Sequence, residues 1–130
     1  MQNPLVWPLL EHVIDTPIKL QLVLLFHESA GLCTTPTQLA QRAYRDIWST
    51  REALRELAED GVLQARADCD EPQYQYRSRA EHTDAIDALV QSYNEPLTRD
   101  ALLSALREIA GDAPYRRALR GGVAFESITM

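Results

Sequence analysis

The chain has 130 residues, of which 45% are hydrophobic and 25% are charged, and its formal net charge is −6. The length suits one domain, and the composition excludes a disordered or fibrous chain. The acidic balance argues against indiscriminate binding to polyanions. Apolar runs fall far short of the roughly 20 residues that a membrane helix needs, so we expect no membrane partner. The first residues lack a basic region ahead of an apolar stretch, so we also expect no signal peptide.

Residues 1–15 form an unusually apolar arm for a chain terminus. A terminus normally frays unless it is held down. The arm is therefore expected to pack against another surface. That surface is either a partner subunit or the chain's own core.

Two helices are predicted next from their starting residues. Thr16-Pro17 combines a good N-cap with a proline at the first helical position, and Gly31 is the expected stop. Thr35–Gln38 repeats the Thr-Pro start and adds the spacing of a capping box. A short second helix should follow it.

The third helix has two alternative N-caps, separated by about one turn. Asp46 is one, and the capping box Ser49–Glu52 is the other. Apolar residues at helical spacing follow, and Gly61 is expected to end the element.

A β-hairpin and two further helices are predicted after Gly61. Val62–Ala65 and Tyr74–Arg77 form the two short strands, with Tyr74 and Tyr76 packed on the core. Apolar residues at i, i+3, i+4 and i+7 then predict helices over 83–93 and 98–110, the second ending at Gly111.

The spacing of the second and third helices resembles a known signature. Leu39-Ala40 precedes Leu54 by fifteen residues, and Leu54 begins a Leu-x-x-Leu-x-x-x-Gly-hydrophobic run. This is similar to the winged helix-turn-helix signature of MarR-type transcriptional regulators. The resemblance covers residues 16–79 and implies a mostly α fold with a small β-hairpin. It also implies that residues 80–130 hold C-terminal helices that mediate homodimerisation; the alternative is that these helices only cover the core of a monomer.

The resemblance further implies double-stranded DNA as the partner, with the third helix in the major groove and the hairpin, or wing, near the backbone. Arginines would approach guanine edges or phosphates, and a serine would contact a phosphate. Carried over by position, the DNA-binding residues are Arg45, Trp48, Ser49, Arg51, Glu52, Arg55, Arg66, Arg77 and Arg79.

The sequence departs from this signature around the turn. Tyr44 stands where glycine is usual, and Arg45 stands where a buried aliphatic residue is usual. Ile47 and Trp48 are expected to be exposed beside the reading surface. The register of the turn is therefore open by about one residue.

Charge supports an alternative function. Residues 44–60 contain three arginines and five acidic residues, a net charge of −2. DNA affinity comes largely from neutralising phosphates. A protein-interaction module that keeps the winged-helix fold, with Trp48 as an anchor, is therefore the second hypothesis.

Catalytic and metal-binding patterns are weak. His12, His27 and His82 are far apart, and Cys33 and Cys69 have no metal-ligand spacing. We expect no enzyme activity, no metal and no cofactor. Two cysteines do not form a disulfide framework, which favours reduced thiols in the cytoplasm. Cys33 is expected to be buried or half-buried, with a thiol sensor as the alternative.

Overall fold

The computed structural model describes residues 4–29, 31–66 and 70–121, of which 112–121 are described as backbone only. These residues are mostly helical and include a small three-stranded antiparallel sheet. The prediction of a mostly α fold with a small β component is therefore confirmed. The elements in chain order are α1 (Val6–His12), α2 (Pro17–Glu28), β1 (Cys33–Thr34), α3 (Pro36–Ala43), α4 (Ile47–Glu59), β2 (Leu63–Arg66), β3 (Gln73–Tyr76), α5 (Ala80–Asn94) and α6 (Pro96–Gly121).

The apolar arm folds into the chain's own core. Its central part is α1, which packs against α5 and α6. Val6, Leu9 and Leu10 are buried, and Val13 and Ile14 after the helix are buried as well. The sequence allowed the arm to pack on a partner subunit or on the chain's own core, and in the structure it packs on the chain's own core.

The caps predicted for α2 and α3 are confirmed. The Thr16 side chain accepts a hydrogen bond from the Lys19 backbone N–H at 3.3 Å. Thr35 and Gln38 form a complete capping box at the start of α3. The predicted stop of α2 at Gly31 is late, because the helix ends at Glu28.

Asp46 is the N-cap of α4. Its side chain accepts a hydrogen bond from the Ser49 backbone N–H at 2.7 Å. One turn later, the Thr50 hydroxyl donates to the Asp46 carbonyl at 2.9 Å. Ser49 is therefore inside the helix rather than at its cap, and α4 is one turn longer than the alternative start would make it.

The predicted hairpin is present as β2 and β3, and β1 adds a third strand. The sheet order is β1-β3-β2, with Thr34 opposite Tyr74 on one side and Ala65 opposite Tyr74 on the other. Tyr74 is buried, and Tyr76 is half-buried with its ring edge-on to His27, as expected for tyrosines packed on the core.

Gly61 joins α4 to the sheet in a conformation that favours glycine. Its φ is +86°, and a Cβ at this position would overlap the Arg79 side chain. The Arg79 backbone N–H also donates to the Gly61 carbonyl at 2.7 Å. A larger residue would disturb both the turn and the start of α5.

The C-terminal helices begin earlier than predicted, and α6 is longer than predicted. α5 starts at Ala80 and α6 at Pro96, ahead of the expected caps Thr83 and Thr98. The predicted end at Gly111 is wrong, because α6 continues to Gly121. A helical glycine costs only about 1 kcal/mol relative to alanine, so it does not by itself end a helix whose preceding turns pack on the core. None of the described helices, including the 26-residue α6, combines the length and apolarity needed to cross a membrane.

Leu54 lies at the centre of the core, with its side chain fully buried. We expect Leu54→Ala to lower the free energy of unfolding by about 2–5 kcal/mol, because the deleted methyl groups leave a cavity. Urea denaturation measures the change. The matched control is Leu97→Ala, since Leu97 is 94% exposed. Equal stability of the two variants would contradict the burial of Leu54.

Candidate functional site

α4 has one buried side and one exposed side. Thr50, Ala53, Leu54 and Leu57 are buried on the inner side. This side packs against α2, α3 and β2. Most other α4 side chains, at 48, 49, 51, 52, 55 and 59, are exposed. The exposed side of α4 is the candidate functional surface of the chain.

A tight turn sets the direction in which α4 leaves α3. Tyr44 has φ +55° and ψ +44°, the left-handed conformation, and its side chain is 95% exposed. This conformation costs a residue other than glycine roughly 1–2 kcal/mol. Tyr44 thus takes a conformation that ordinarily favours glycine.

Arg45 fastens the turn to α2. Its Nε donates to the Gln21 side-chain oxygen at 2.8 Å, and the Gln21 amide donates to the Ala43 carbonyl at 3.2 Å. The Arg45 side chain is exposed. The Nε–H group of Arg45 is therefore used in a hydrogen bond within the chain.

The exposed side of α4 carries five of the predicted DNA-binding residues. Trp48 is 73% exposed, and the Arg51 guanidinium lies 5.4 Å from the centroid of its ring. The other three are Ser49, Glu52 and Arg55. Ile47 was expected to be exposed but is half-buried, because it lies at the first turn next to the buried Thr50.

Arg55 is held by carboxylates of its own helix. It forms ion pairs with Glu52 and Glu59, and its Nη2 lies 3.7 Å from a Glu56 oxygen. The hydrogen bond to Glu52 raises the pKa of Arg55. The guanidinium therefore stays charged, but its charge is largely compensated within α4.

The hairpin lies beside α4, because β2 packs against that helix. Burial raises the pKa of Tyr74 in β3, and the positive charges of Arg55 and Arg51 act in the opposite direction. Arg77, on the exposed side of the hairpin, donates to the Gln64 side chain at 3.2 Å.

The remaining predicted hairpin residues lie farther apart than the sequence suggested. Arg66 is exposed at the end of β2. Arg79 is the N-cap residue of α5, packs over Gly61 after the C-terminus of α4, and lies 3.6 Å from a Glu81 oxygen. About 20 Å of helix separates that end of α4 from its first turn. The structure therefore places Arg79 away from Trp48.

An acidic residue occupies the N-terminus of α3. Glu71, next to the hairpin tip, accepts hydrogen bonds from the Thr37 backbone N–H at 3.2 Å and from the Thr37 hydroxyl at 2.6 Å. Helix N-termini attract anions because their first N–H groups have no intrahelical partner. Here the chain supplies that anion itself, and the contact fastens the hairpin to α3.

A buried ionic cluster, not identified from the sequence, connects α2 with α4. The Lys19 ammonium group is 2.7 Å from Asp15 and 2.6 Å from Glu56. Lys19 and Asp15 are each 2% exposed. The i, i+4 spacing of Asp15 and Lys19 was a visible signal for half of this cluster, whereas the pairing with Glu56 spans 37 positions and left none.

The described residues contain no group of three or more His, Cys, Asp or Glu side chains that could hold a metal ion. Cys33 was expected to be buried or half-buried, but it is exposed in β1, because alternate residues of a strand face opposite sides and Thr34 takes the buried one. Its thiol donates to the Gln73 side chain at 3.5 Å. Cys69 lies outside the described residues.

We expect Lys19→Met to lower the free energy of unfolding by about 3–5 kcal/mol, because it removes the ammonium partner of the buried Asp15 carboxylate and of the half-buried Glu56 carboxylate. Urea denaturation measures this loss. The control is the variant that also carries Asp15→Asn and Glu56→Gln, which neutralises both carboxylates and should recover most of the stability. A single variant as stable as the natural chain would show that the cluster does not hold α4 in place.

The cap of α4 predicts a pH dependence. The Ser49 backbone hydrogen bond lowers the pKa of Asp46 from its ordinary value of 3.8. The ionised Asp46 side chain therefore stabilises the folded chain fully at pH values above its ordinary pKa of 3.8. This stabilisation is lost as the pH falls through the lowered pKa of the folded state. Asp46→Ala should lower the melting temperature near neutral pH, and the difference should shrink in strong acid. Asp84→Ala, an exposed residue of α5, is the control; equal pH profiles would contradict the cap.

Comparison with known proteins finds no family model, no curated protein and no solved structure that matches this chain. The exposed side of α4 and the hairpin beside it are therefore the basis on which a function is assigned.

Proposed function

We propose that the chain is a winged-helix protein of the MarR type that binds duplex DNA as a small transcriptional regulator. The observation that carries this proposal is the exposed side of α4, which follows a tight turn and lies beside a hairpin. The order helix, strand, helix, helix, hairpin, with β1 paired to β3, supports the same assignment.

In this proposal, the N-terminal half of α4 enters the major groove. Arg51 is the residue most suited to contact a base edge or a phosphate, because it is exposed in the N-terminal half of α4. The Ser49 hydroxyl is suited to a phosphate contact. Arg66 and Arg77 on the hairpin are suited to contact the backbone.

A homodimer is part of the proposal. α5 and α6 follow the hairpin, and α6 is about 39 Å long. A two-fold dimer would place two α4 helices in successive major grooves about one helical turn apart.

The intramolecular ion pairs limit how many phosphates the surface can neutralise. Arg55 is compensated by Glu52 and Glu59, and Glu71 occupies the start of α3. DNA affinity should therefore depend on salt less steeply than in proteins with many phosphate contacts, for which affinity falls about 10³–10⁵-fold between 50 and 200 mM salt.

A second candidate function is docking of a protein partner on the same surface. Tyr44 and Trp48, four positions apart, are both exposed large aromatic residues. Such residues are frequent binding anchors at protein interfaces. The compensated charge of Arg55 favours this candidate over DNA.

Arg51→Ala should weaken binding to duplex DNA selected from a random pool by about tenfold, because one base or phosphate contact is lost. Fluorescence anisotropy at low and at physiological salt measures the affinity, and native mass spectrometry should find two 14.7 kDa chains on each selected duplex. Arg107→Ala is the matched control, since Arg107 is an exposed arginine of α6.

Failure to select any duplex at low salt would contradict DNA binding, as would equal losses in the two variants. The protein-docking candidate then gives a separate expectation. Trp48→Ala should abolish capture of a partner from cell extract while leaving the stability of the chain nearly unchanged, because the side chain is exposed.

A further inference from the structure

The turn between α3 and α4 carries two exposed aromatic side chains. Tyr44 lies in the turn itself, Trp48 lies in the first turn of α4, and both side chains are largely in solvent. Four residues of chain span at most about 14 Å. The two positions are therefore within reach of one extended ligand.

The fold does not account for the aromatic residue at position 44. Tyr44 has a left-handed backbone, in which glycine would be less strained. Its ring is 95% exposed, so burial of the ring does not offset this strain. Backbone strain that packing does not offset is typical of positions that contact another molecule.

The segment that holds the two rings is basic. Residues 36–51 contain three arginines, Arg42, Arg45 and Arg51, and one acidic residue, Asp46, which gives a net charge of +2. All three arginines are exposed. The Asp46 carboxylate is engaged in the cap of α4. Within a chain whose net charge is −6, this segment is the one suited to an anionic partner.

The arginines and the indole retain groups for an external ligand. Within the described part of the chain, no carboxylate forms an ion pair with Arg42, Arg45 or Arg51. Arg45 uses its Nε–H for Gln21, which leaves its two terminal amino groups. The Arg51 guanidinium lies over one face of the Trp48 ring, at 5.4 Å from the centroid. Because Trp48 is 73% exposed, the opposite face of the ring remains accessible.

Exposed aromatic rings among arginines match the chemistry of a single nucleic-acid strand. Each base has a flat π face that stacks on an aromatic ring whatever the sequence, and arginines neutralise the phosphates between the bases. Bases inside a duplex are already stacked on one another, so an unpaired base is the one that can cover such a ring. At about 3.4 Å or more per nucleotide, about four nucleotides span the distance from Tyr44 to Trp48.

We infer that the turn between α3 and α4 binds single-stranded DNA, with unpaired bases stacked on Tyr44 and Trp48. The phosphates lie against Arg42, Arg45 and Arg51. The positive charge of the segment favours this polyanion over a protein partner at the same rings. The choice of DNA over RNA rests on the proposed function, which brings this side of α4 to DNA, whereas the stacking does not depend on it.

The test compares two labelled oligomers of about twelve units with equal numbers of phosphates: oligothymidylate and an oligomer of abasic sites. Fluorescence anisotropy at low salt measures both affinities. Oligothymidylate should bind at least about tenfold more tightly, because it alone offers bases for stacking. The chain has two tryptophans, so Trp7→Phe leaves Trp48 as the only indole. Oligothymidylate should quench its emission, and the abasic oligomer should not.

Tyr44→Gly separates binding from folding. It removes the ring and relieves the left-handed strain, so it should raise the melting temperature and weaken oligothymidylate binding about tenfold. Trp48→Ala should weaken binding by a similar factor, and Trp48→Phe, which keeps a ring, should weaken it less. Leu97→Ala is the control, since it removes an exposed apolar side chain at the start of α6 and should leave the affinity unchanged.

The inference is overturned if neither oligomer binds at low salt, or if the two bind equally. It is also overturned if Tyr44→Gly and Trp48→Ala bind oligothymidylate as well as Leu97→Ala does. Tighter binding of oligouridylate than of oligothymidylate would overturn the assignment to DNA. Capture of a protein through Trp48 without any binding of oligothymidylate would assign the rings to protein docking instead.

These outcomes are distinct from those of the proposed function. Selection of a duplex without binding of oligothymidylate would reject this inference and keep duplex binding. Binding of oligothymidylate without selection of any duplex would reject duplex binding and keep the stacking site.

Discussion

The buried ammonium group of Lys19 is the constraint on which the position of α4 depends. Charges this deep in a core require partners, and Lys19 finds one before its own helix, in Asp15, and one on α4, in Glu56. Apolar packing alone tolerates small rotations and shifts of a helix, whereas two short ion pairs do not. Such clusters contribute little net stability, but they penalise every arrangement that separates the charges. The same pairing turns the remaining acidic residues of α4 toward its exposed side, where they meet Arg55.

Local signals in the sequence were sufficient for the helix starts and for the hairpin. Thr16 and Thr35 cap their helices through contacts within three residues, so the sequence contains the whole interaction. The choice between Asp46 and Ser49 needed the three-dimensional path of the turn, because both residues are good caps. The strand at Cys33–Thr34 is two residues long and exists through its pairing with β3, so it had no periodicity to detect.

The candidate surface was predicted in outline but not in its electrostatics. Helical spacing separated the buried side of α4, with Leu54, from the exposed side, with Trp48 and Arg51. The sequence gives the number of charged residues but not their ion-pair partners. Arg55 was therefore predicted to contact DNA, although carboxylates of its own helix pair with it.

The narrowness of the sheet restricts how this protein can associate with others. The edge strands are short, since β1 spans two residues and β2 spans four. Each edge of the sheet therefore has only a few backbone N–H and C=O groups without a neighbouring strand. Recruitment of a peptide as an additional strand relies on a row of such groups and on flat backbone along it. Exposed side chains of the described helices, such as Trp48 on α4, are the larger contact surface. A contact made by side chains can change its specificity by single substitutions without altering the backbone framework.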